Sequence, residues 1–325
     1  MKHALVLGGG GVKGAFQAGV LSVILADKEY APSGIFGSST GALNGAFLAD
    51  RAGRQVLKGD VNWPSIGDDL VRFWRDTVTG PDALWTEPKG DLEVLAALVR
   101  LAAGKGFLKT DPLKNIIVRE ADPTNLQAAH LFDIKYSPSA VDLITGNIEY
   151  PDVHDPNIIS FIFASAAIPI IMPYVEIEYK GSMGRFVDGG MRDVAPFQRA
   201  LKLGYDKITC IVCQAENLKP VKMEDNIVPF CLRLYEIVFD EIVSNDLKVI
   251  EKQKALHNEL MGLKKSQQPP DQYLRKVEKY QDITVEIIRP DAPIEVKDLN
   301  FSREQIEYLI ELGIRTAKAG KFTWA

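Results

Sequence analysis

The stretch Gly37-Ser38-Ser39-Thr40-Gly41 decides how the rest of the chain is read. It fits the pattern Gly-x-Ser-x-Gly in one frame, with Ser39 at its centre. Gly34-Ile35-Phe36 before it reads as the end of a short buried strand, and Ala42 to Ala52 after it as a helix rich in small residues. A serine on a sharp strand-to-helix turn is pushed out of the backbone, where its hydroxyl can meet a substrate carbonyl. The glycines on either side let strand and helix pass closely enough for the turn. Taken alone, the pentapeptide is equally well an ordinary Gly- and Ser-containing loop.

Working outward toward the N-terminus, His3 to Leu7 reads as a buried first strand and Gly8 to Gly11 as a glycine loop. Val12 to Leu25 has helical apolar spacing, with Val20, Leu21, Ile24 and Leu25 on one face. Pro32-Ser33-Gly34 turns the chain into the second strand. Strand, helix, strand, helix at this spacing is the start of an α/β fold, a central and mostly parallel sheet flanked by helices.

Toward the C-terminus, Arg54 to Arg119 is mostly helical, with amphipathic runs at Leu70–Trp74 and Leu92–Leu101. Thr110-Asp111-Pro112 is a helix start with Thr110 as the cap. Core packing accounts for Trp63, Trp74 and Trp85, while an aromatic rim or lid over a lipid-facing cleft is the sharper alternative. Leu131–Tyr136 and Val141–Thr145 read as strands, Ile158–Ala167 as an apolar helix, and Val175 to Val187 as a hairpin ending in Asp188-Gly189-Gly190. A short helix over Pro196–Leu203 and a buried strand over Lys207–Cys213 follow. Val228–Leu263 is the longest helix, with Phe230, Leu234, Ile237, Val238 and Ile242 on one face. Lys264–Asp271 is an exposed loop, Ile283–Ile288 a late strand, and Ser302 with Gln305 a capping box for a last helix. The expectation is a single domain over 1–325, with its motifs in 1–215 and a helix-and-strand part in 216–325.

The chain has 325 residues and a net charge of −5. That balance argues against nucleic acid as a partner. Cys210 and Cys213 have CxxC spacing but lie in an apolar run, and with Cys231 they read as packed free thiols of a reducing compartment. Lys2 is followed by four apolar residues and then glycines, too short for a signal-peptide core. No apolar run is long enough for a membrane span. The expected location is the cytoplasm, with peripheral contact at membranes.

An activated serine needs a base, donors for an oxyanion, and exposure to substrate. Gly9-Gly10-Gly11-Val12-Lys13-Gly14 is the candidate oxyanion loop, because consecutive glycines let neighbouring N–H groups converge on one oxygen. The Thr40 N–H is a further donor, the helix it begins favours a developing alkoxide at Ser39, and Lys13 holds the loop or adds positive potential. Of the four histidines, His3, His130, His154 and His257, none sits in a setting that suggests a base. Asp188 follows Phe186-Val187 and precedes two glycines, which puts a carboxylate at a strand end on a tight turn. It could accept a serine proton directly, but Asp-Gly-Gly is also simply a good turn.

Taken together, these residues resemble the patatin-like phospholipase family of serine lipid acyl hydrolases, over about residues 1 to 215 strongly and the remainder more loosely. The family's oxyanion loop matches Gly9–Gly14, with Lys13 where arginine is also common. Its elbow matches Gly37–Gly41, its Ser-small-Pro segment Ala164-Ser165-Ala166-Ala167-Ile168-Pro169, and its Asp-Gly-Gly/Ala motif Asp188-Gly189-Gly190. The resemblance implies a three-layer fold, Ser39 as nucleophile with Asp188 as its base, an acyl lipid as substrate, and neither metal nor organic cofactor. It also implies a pH profile that follows a carboxylate rather than an imidazole. Two other readings are weaker. Gly9-x-Gly11-x-x-Gly14 fits a dinucleotide fingerprint, yet the second strand ends in Gly37-Ser38-Ser39 rather than in an acidic residue. A catalytically silent binding protein on the same fold sits poorly with an intact Ser–Asp pair.

Overall fold

The computed structural model of the chain describes residues 2–216, 220, 227–263, 267, 283–296, 300–320 and 323–324. In chain order its first half runs β1 (His3–Leu7), α1 (Gly14–Ile24), β2 (Gly34–Gly37), α2 (Thr40–Val56), α3 (Trp63–Thr77), α4 (Gly90–Ala102), α5 (Asp111–Glu120) and α6 (Pro123–Leu131). Next come β3 (Lys135–Pro138), β4 (Ala140–Asp142), β5 (Ile148–Glu149), α7 (Ile158–Ser165), β6 (Val175–Tyr179) and β7 (Ser182–Asp188). The chain ends with α8 (Phe197–Lys202), β8 (Lys207–Ile211), α9 (Ile227–Gly262), β9 (Thr284–Ile288), α10 (Arg303–Ala319) and β10 (Thr323–Trp324).

The main sheet has the order β10-β9-β8-β1-β2-β3. Its five strands from β9 to β3 are parallel, and β10 adds an antiparallel edge. Because successive side chains of a strand point to opposite faces, β1 divides its residues between two cores. Leu5 and Leu7 pack with α1, α2, α3 and α10, whereas Ala4 and Val6 pack with Phe197 of α8 and Phe239 and Val243 of α9. Helices on both faces of a parallel sheet are the consequence of strands that are apolar on both sides. The three-layer α/β expectation is met. A second sheet, β5-β4-β7-β6, is antiparallel and carries Asp188 at the end of β7.

Several boundaries differ from the sequence reading. Leu131 ends α6 instead of starting a strand: Ile134 N–H bonds back to Ala129 O, and Asp133 takes a left-handed φ of 62° that stops the helix. Strand β4 ends at Asp142, whose carboxylate accepts from the Ile144 N–H and Thr145 hydroxyl and so turns the chain. Thr110 precedes α5, but its side chain makes no capping bond. In α9 the buried stripe is Cys231, Phe239 and Val243, while Phe230, Leu234, Ile237 and Val238 stay exposed. Of the face expected from periodicity only Ile242 packs against the core, so the helix is rotated relative to that face. The Ser302–Gln305 capping box is present as expected. The loop expected at Lys264–Asp271 lies almost wholly outside the described residues.

Candidate active site

Strand β2 delivers the chain to Ser39 with no slack. A Cβ on Gly37 would stand 2.4 Å from the Gly41 carbonyl oxygen, and one on Gly41 would stand 2.0 Å from that of Leu7. Only glycine fits at either position, so these two residues allow the turn to close. Ser39 itself takes φ 55°, ψ −129°, outside the regions where a side-chain-bearing residue is comfortable. Such a conformation costs on the order of 1–3 kcal/mol and persists only when its surroundings impose it. Here the Ser39 carbonyl accepts from the Ala42 and Leu43 N–H groups of α2, and its own N–H donates to Ser165 Oγ at 3.1 Å.

The Ser165 bond is a role that the sequence did not reveal. Ser165 ends α7, and two residues later the Ala167 carbonyl accepts the Asp188 N–H at 3.0 Å. One short segment thus holds the backbone of both candidate catalytic residues. Its Ser-small-small composition was visible, but a serine gives no local signal that it will accept an N–H from so distant a position.

Asp188 is fully buried. Its Oδ1 accepts the Gly190 N–H at 2.7 Å, and its Oδ2 has no well-formed hydrogen bond. Burial pushes its pKa up to about 7, against the pull of the Ser39 hydroxyl and the Gly190 N–H. The Ser39 hydroxyl thus stands near enough to the carboxyl to favour its charged form. An acid with this environment is a base poised near neutrality.

The glycine loop is arranged differently from the sequence expectation at one position. The Gly9 N–H is spent on the Val194 carbonyl at 2.9 Å and is not available to an oxyanion. Gly10 and Gly11 line the cleft beside Ser39 and Thr40, and their N–H groups, with that of Thr40, have no acceptor among the described residues. Gly11 has φ 56°, which lets the loop turn tightly into α1. A buried network buttresses the loop: Gln17 Nε2 donates to Gly8 O at 2.7 Å, Asn44 Nδ2 to Gly14 O at 3.1 Å, and Trp74 Nε1 to Asn44 Oδ1 at 2.9 Å. Lys13 is buried and its Nζ pairs with Glu236 Oε1 at 3.2 Å, which fastens the loop to α9.

From Ser39 a cleft opens that encloses about 1300 Å³, its mouth included. Its walls are mostly hydrocarbon, from Phe47, Phe73, Leu84, Leu113, Ile162 and Ile171 among others, with Glu120, Gln214 and Glu236 among the polar exceptions. Trp74 and Trp85 also line it and are buried, so they wall the cleft from within, whereas Trp63 is buried away from it. No histidine among the described residues lines it. His3 lies in β1, bonded to Thr209 Oγ1 at 2.9 Å and, chiefly by burial, held neutral with a pKa near 4. The three cysteines are buried, and no disulfide joins them. No helix among the described residues is long and apolar enough to cross a membrane.

A strained serine and unspent N–H groups in a mostly apolar cleft, with a buried carboxylate near the serine, suit attack on the carbonyl of an acyl chain. Comparisons with known proteins agree with this at the level of family. The family model described as patatin-like phospholipase matches residues 5–201. No curated protein matches the chain. Among solved structures, VipD from Legionella pneumophila is similar at 12% identity and a TM-score of 0.39, over 100% of this chain and 68% of that one, a likeness too slight to carry an argument.

Proposed function

The chain belongs to the patatin-like phospholipase family, and we propose that it is a serine lipid acyl hydrolase cleaving carboxylic ester bonds of phospholipids or related acyl lipids. The observation that carries this reading is Ser39 in a cleft whose walls are mostly hydrocarbon. Asp188 takes the proton of Ser39 as Oγ attacks the ester carbonyl carbon. The carbonyl π electrons pass to oxygen, and the N–H groups of Gly10, Gly11 and Thr40 hold that oxyanion. One such donor is typically worth about 3–4 kcal/mol of barrier. The intermediate collapses, the alcohol or lysolipid leaves with the proton from Asp188, and an acyl-serine remains. Water then gives a proton to Asp188 and attacks the acyl carbon, and as the bond from carbon to Oγ breaks Asp188 returns that proton to Oγ, which releases the fatty acid and restores Ser39. No step in this sequence calls for a metal or an organic cofactor.

A lipid surface is the proposed source of substrate. Leu92, Leu95 and Val99 of α4 are each more than half exposed. The helix is flanked by segments that belong to the cleft. Leu84 and Trp85 precede it, and the Phe107 and Leu108 N–H groups after it bond to the Ile171 carbonyl. Exposed apolar side chains on a helix that follows a cleft-lining segment support peripheral contact with lipid.

The test is hydrolysis of a p-nitrophenyl acyl ester by the wild type, Ser39→Ala and Asp188→Asn. Turnover should fall on the order of 10³-fold or more in each variant. Undiminished turnover in either would sink the dyad.

A further inference from the structure

Away from the cleft, one group of metal-type side chains converges among the described residues: His130, Asp152 and His154. An imidazole nitrogen from each histidine and a carboxylate oxygen of Asp152 all lie within 4.8 Å of one another. None of the three lines the cleft. His130 is in the last turn of α6, which leads into the start of β3, the outer strand of the main sheet. Asp152 and His154 come from the loop that leaves β5 and is tied to β3 and α6. Ser137 Oγ of β3 donates to the Pro151 carbonyl at 2.9 Å, and Gln127 Nε2 of α6 donates to that of Val153 at 3.4 Å. Val153 is fully buried, while its neighbours Asp152 and His154 face outward with side chains 59% and 53% exposed. The ligand atoms are therefore presented by a backbone that the core fixes.

Two details go beyond proximity. The Asp152 carboxylate is oriented by the His154 backbone N–H, 2.9 Å from Oδ1, and the same oxygen stands 3.9 Å from His154 Nε2. The rings of His130 and His154 meet edge to face with centroids 4.9 Å apart, and His130 Nδ1 is buried with no hydrogen-bond partner among the described residues. An unpaired buried nitrogen costs free energy that a ligand would recover.

We propose that His130, Asp152 and His154 form a surface site for a borderline divalent cation, zinc foremost, separate from the hydrolytic site. Two imidazoles and one carboxylate suit zinc, whereas calcium and magnesium demand oxygen ligands throughout. Tetrahedral zinc with bonds of about 2.0–2.1 Å places ligand atoms roughly 3.3 Å apart. The present spread closes to that by side-chain rotation of two exposed residues, and water completes the fourth position. The bound ion joins the end of α6 to the loop before α7, so it acts as a clamp on the native chain rather than as a reagent.

The full chain, free of affinity tag and stripped with EDTA, is titrated with zinc chloride while heat of binding and melting temperature are followed. One zinc per chain should bind saturably, the melting temperature should rise with zinc, and calcium should do neither. His154→Ala should weaken zinc binding about tenfold or more and remove most of the thermal shift. His154 is exposed, so this variant should melt like the wild type without zinc. Absence of saturable binding by the wild type would overturn the proposal. So would unchanged stoichiometry and shift in the His130→Ala/His154→Ala double variant, which would place the zinc on the thiols or elsewhere.

Discussion

Asp188→Asn should change the fold's stability in a way that depends on pH. Burial without a countercharge holds the Asp188 pKa near 7, from an ordinary value of 3.8. Between those two values the native state binds more protons than the unfolded chain, so this residue's contribution to stability falls as pH rises. The whole shift corresponds to about 4 kcal/mol lost by the time both states are ionised. Between pH 5 and pH 8 the loss is roughly 2.5 kcal/mol. Asparagine has the same shape, keeps an oxygen for the Gly190 N–H and carries no charge. Its Nδ2 would stand where Oδ2 has no partner, at a cost of about 1–3 kcal/mol that does not vary with pH. The difference in unfolding free energy, variant minus wild type, should therefore rise by roughly 2.5 kcal/mol from pH 5 to pH 8. Asp193, raised to about 6 chiefly by burial, titrates in both proteins and cancels. Urea unfolding of both proteins at several pH values measures the difference directly. A difference flat across this range would refute the picture of an uncompensated carboxylate behind Ser39.

Three further outcomes are expected. The kcat/KM for a soluble ester should rise with pH through an acid limb near 7 as Asp188 ionises, and substituting any of the four histidines should leave the limb in place. Ser165→Ala should leave the Ser39 N–H without its acceptor, lowering stability by about 1–3 kcal/mol and kcat by more than KM rises, as read by urea unfolding and steady-state kinetics. Replacing Leu92, Leu95 and Val99 of α4 by serine should cut hydrolysis of phospholipid vesicles several-fold while leaving a soluble short-chain ester unaffected. Equal loss on both substrates would remove the surface-docking role of that helix.

The features legible in the sequence were those with local causes. Gly37 and Gly41 announce a turn in which a side chain would strike backbone, and β1 and β2 are apolar on both faces because both faces are covered. Asp188 was visible as a carboxylate at a strand end. What the sequence hid depends on distant partners. That Gly9 gives its N–H to Val194, or that Ser165 receives one from Ser39, is settled by how strands and segments meet. The rotation of α9 follows from which residues meet Gly9 and Gly190, where the Phe239 ring fills the space. His130 and His154 looked unrelated until the loop after β5 brought them together beside the sheet edge. The expected pH behaviour also needs refining. A carboxylate with an ordinary pKa would give an acid limb well below neutrality, but full burial moves this one into the range usually assigned to imidazole.

The most direct test of the central claim is covalent labelling with an alkyl fluorophosphonate, with the adduct mapped by mass spectrometry. A single adduct on Ser39 should form in the wild type, form far more slowly in Asp188→Asn, and be absent from Ser39→Ala. Labelling of Ser39→Ala at the wild-type rate, or an Asp188→Asn rate equal to wild type, would contradict a serine activated by that carboxylate.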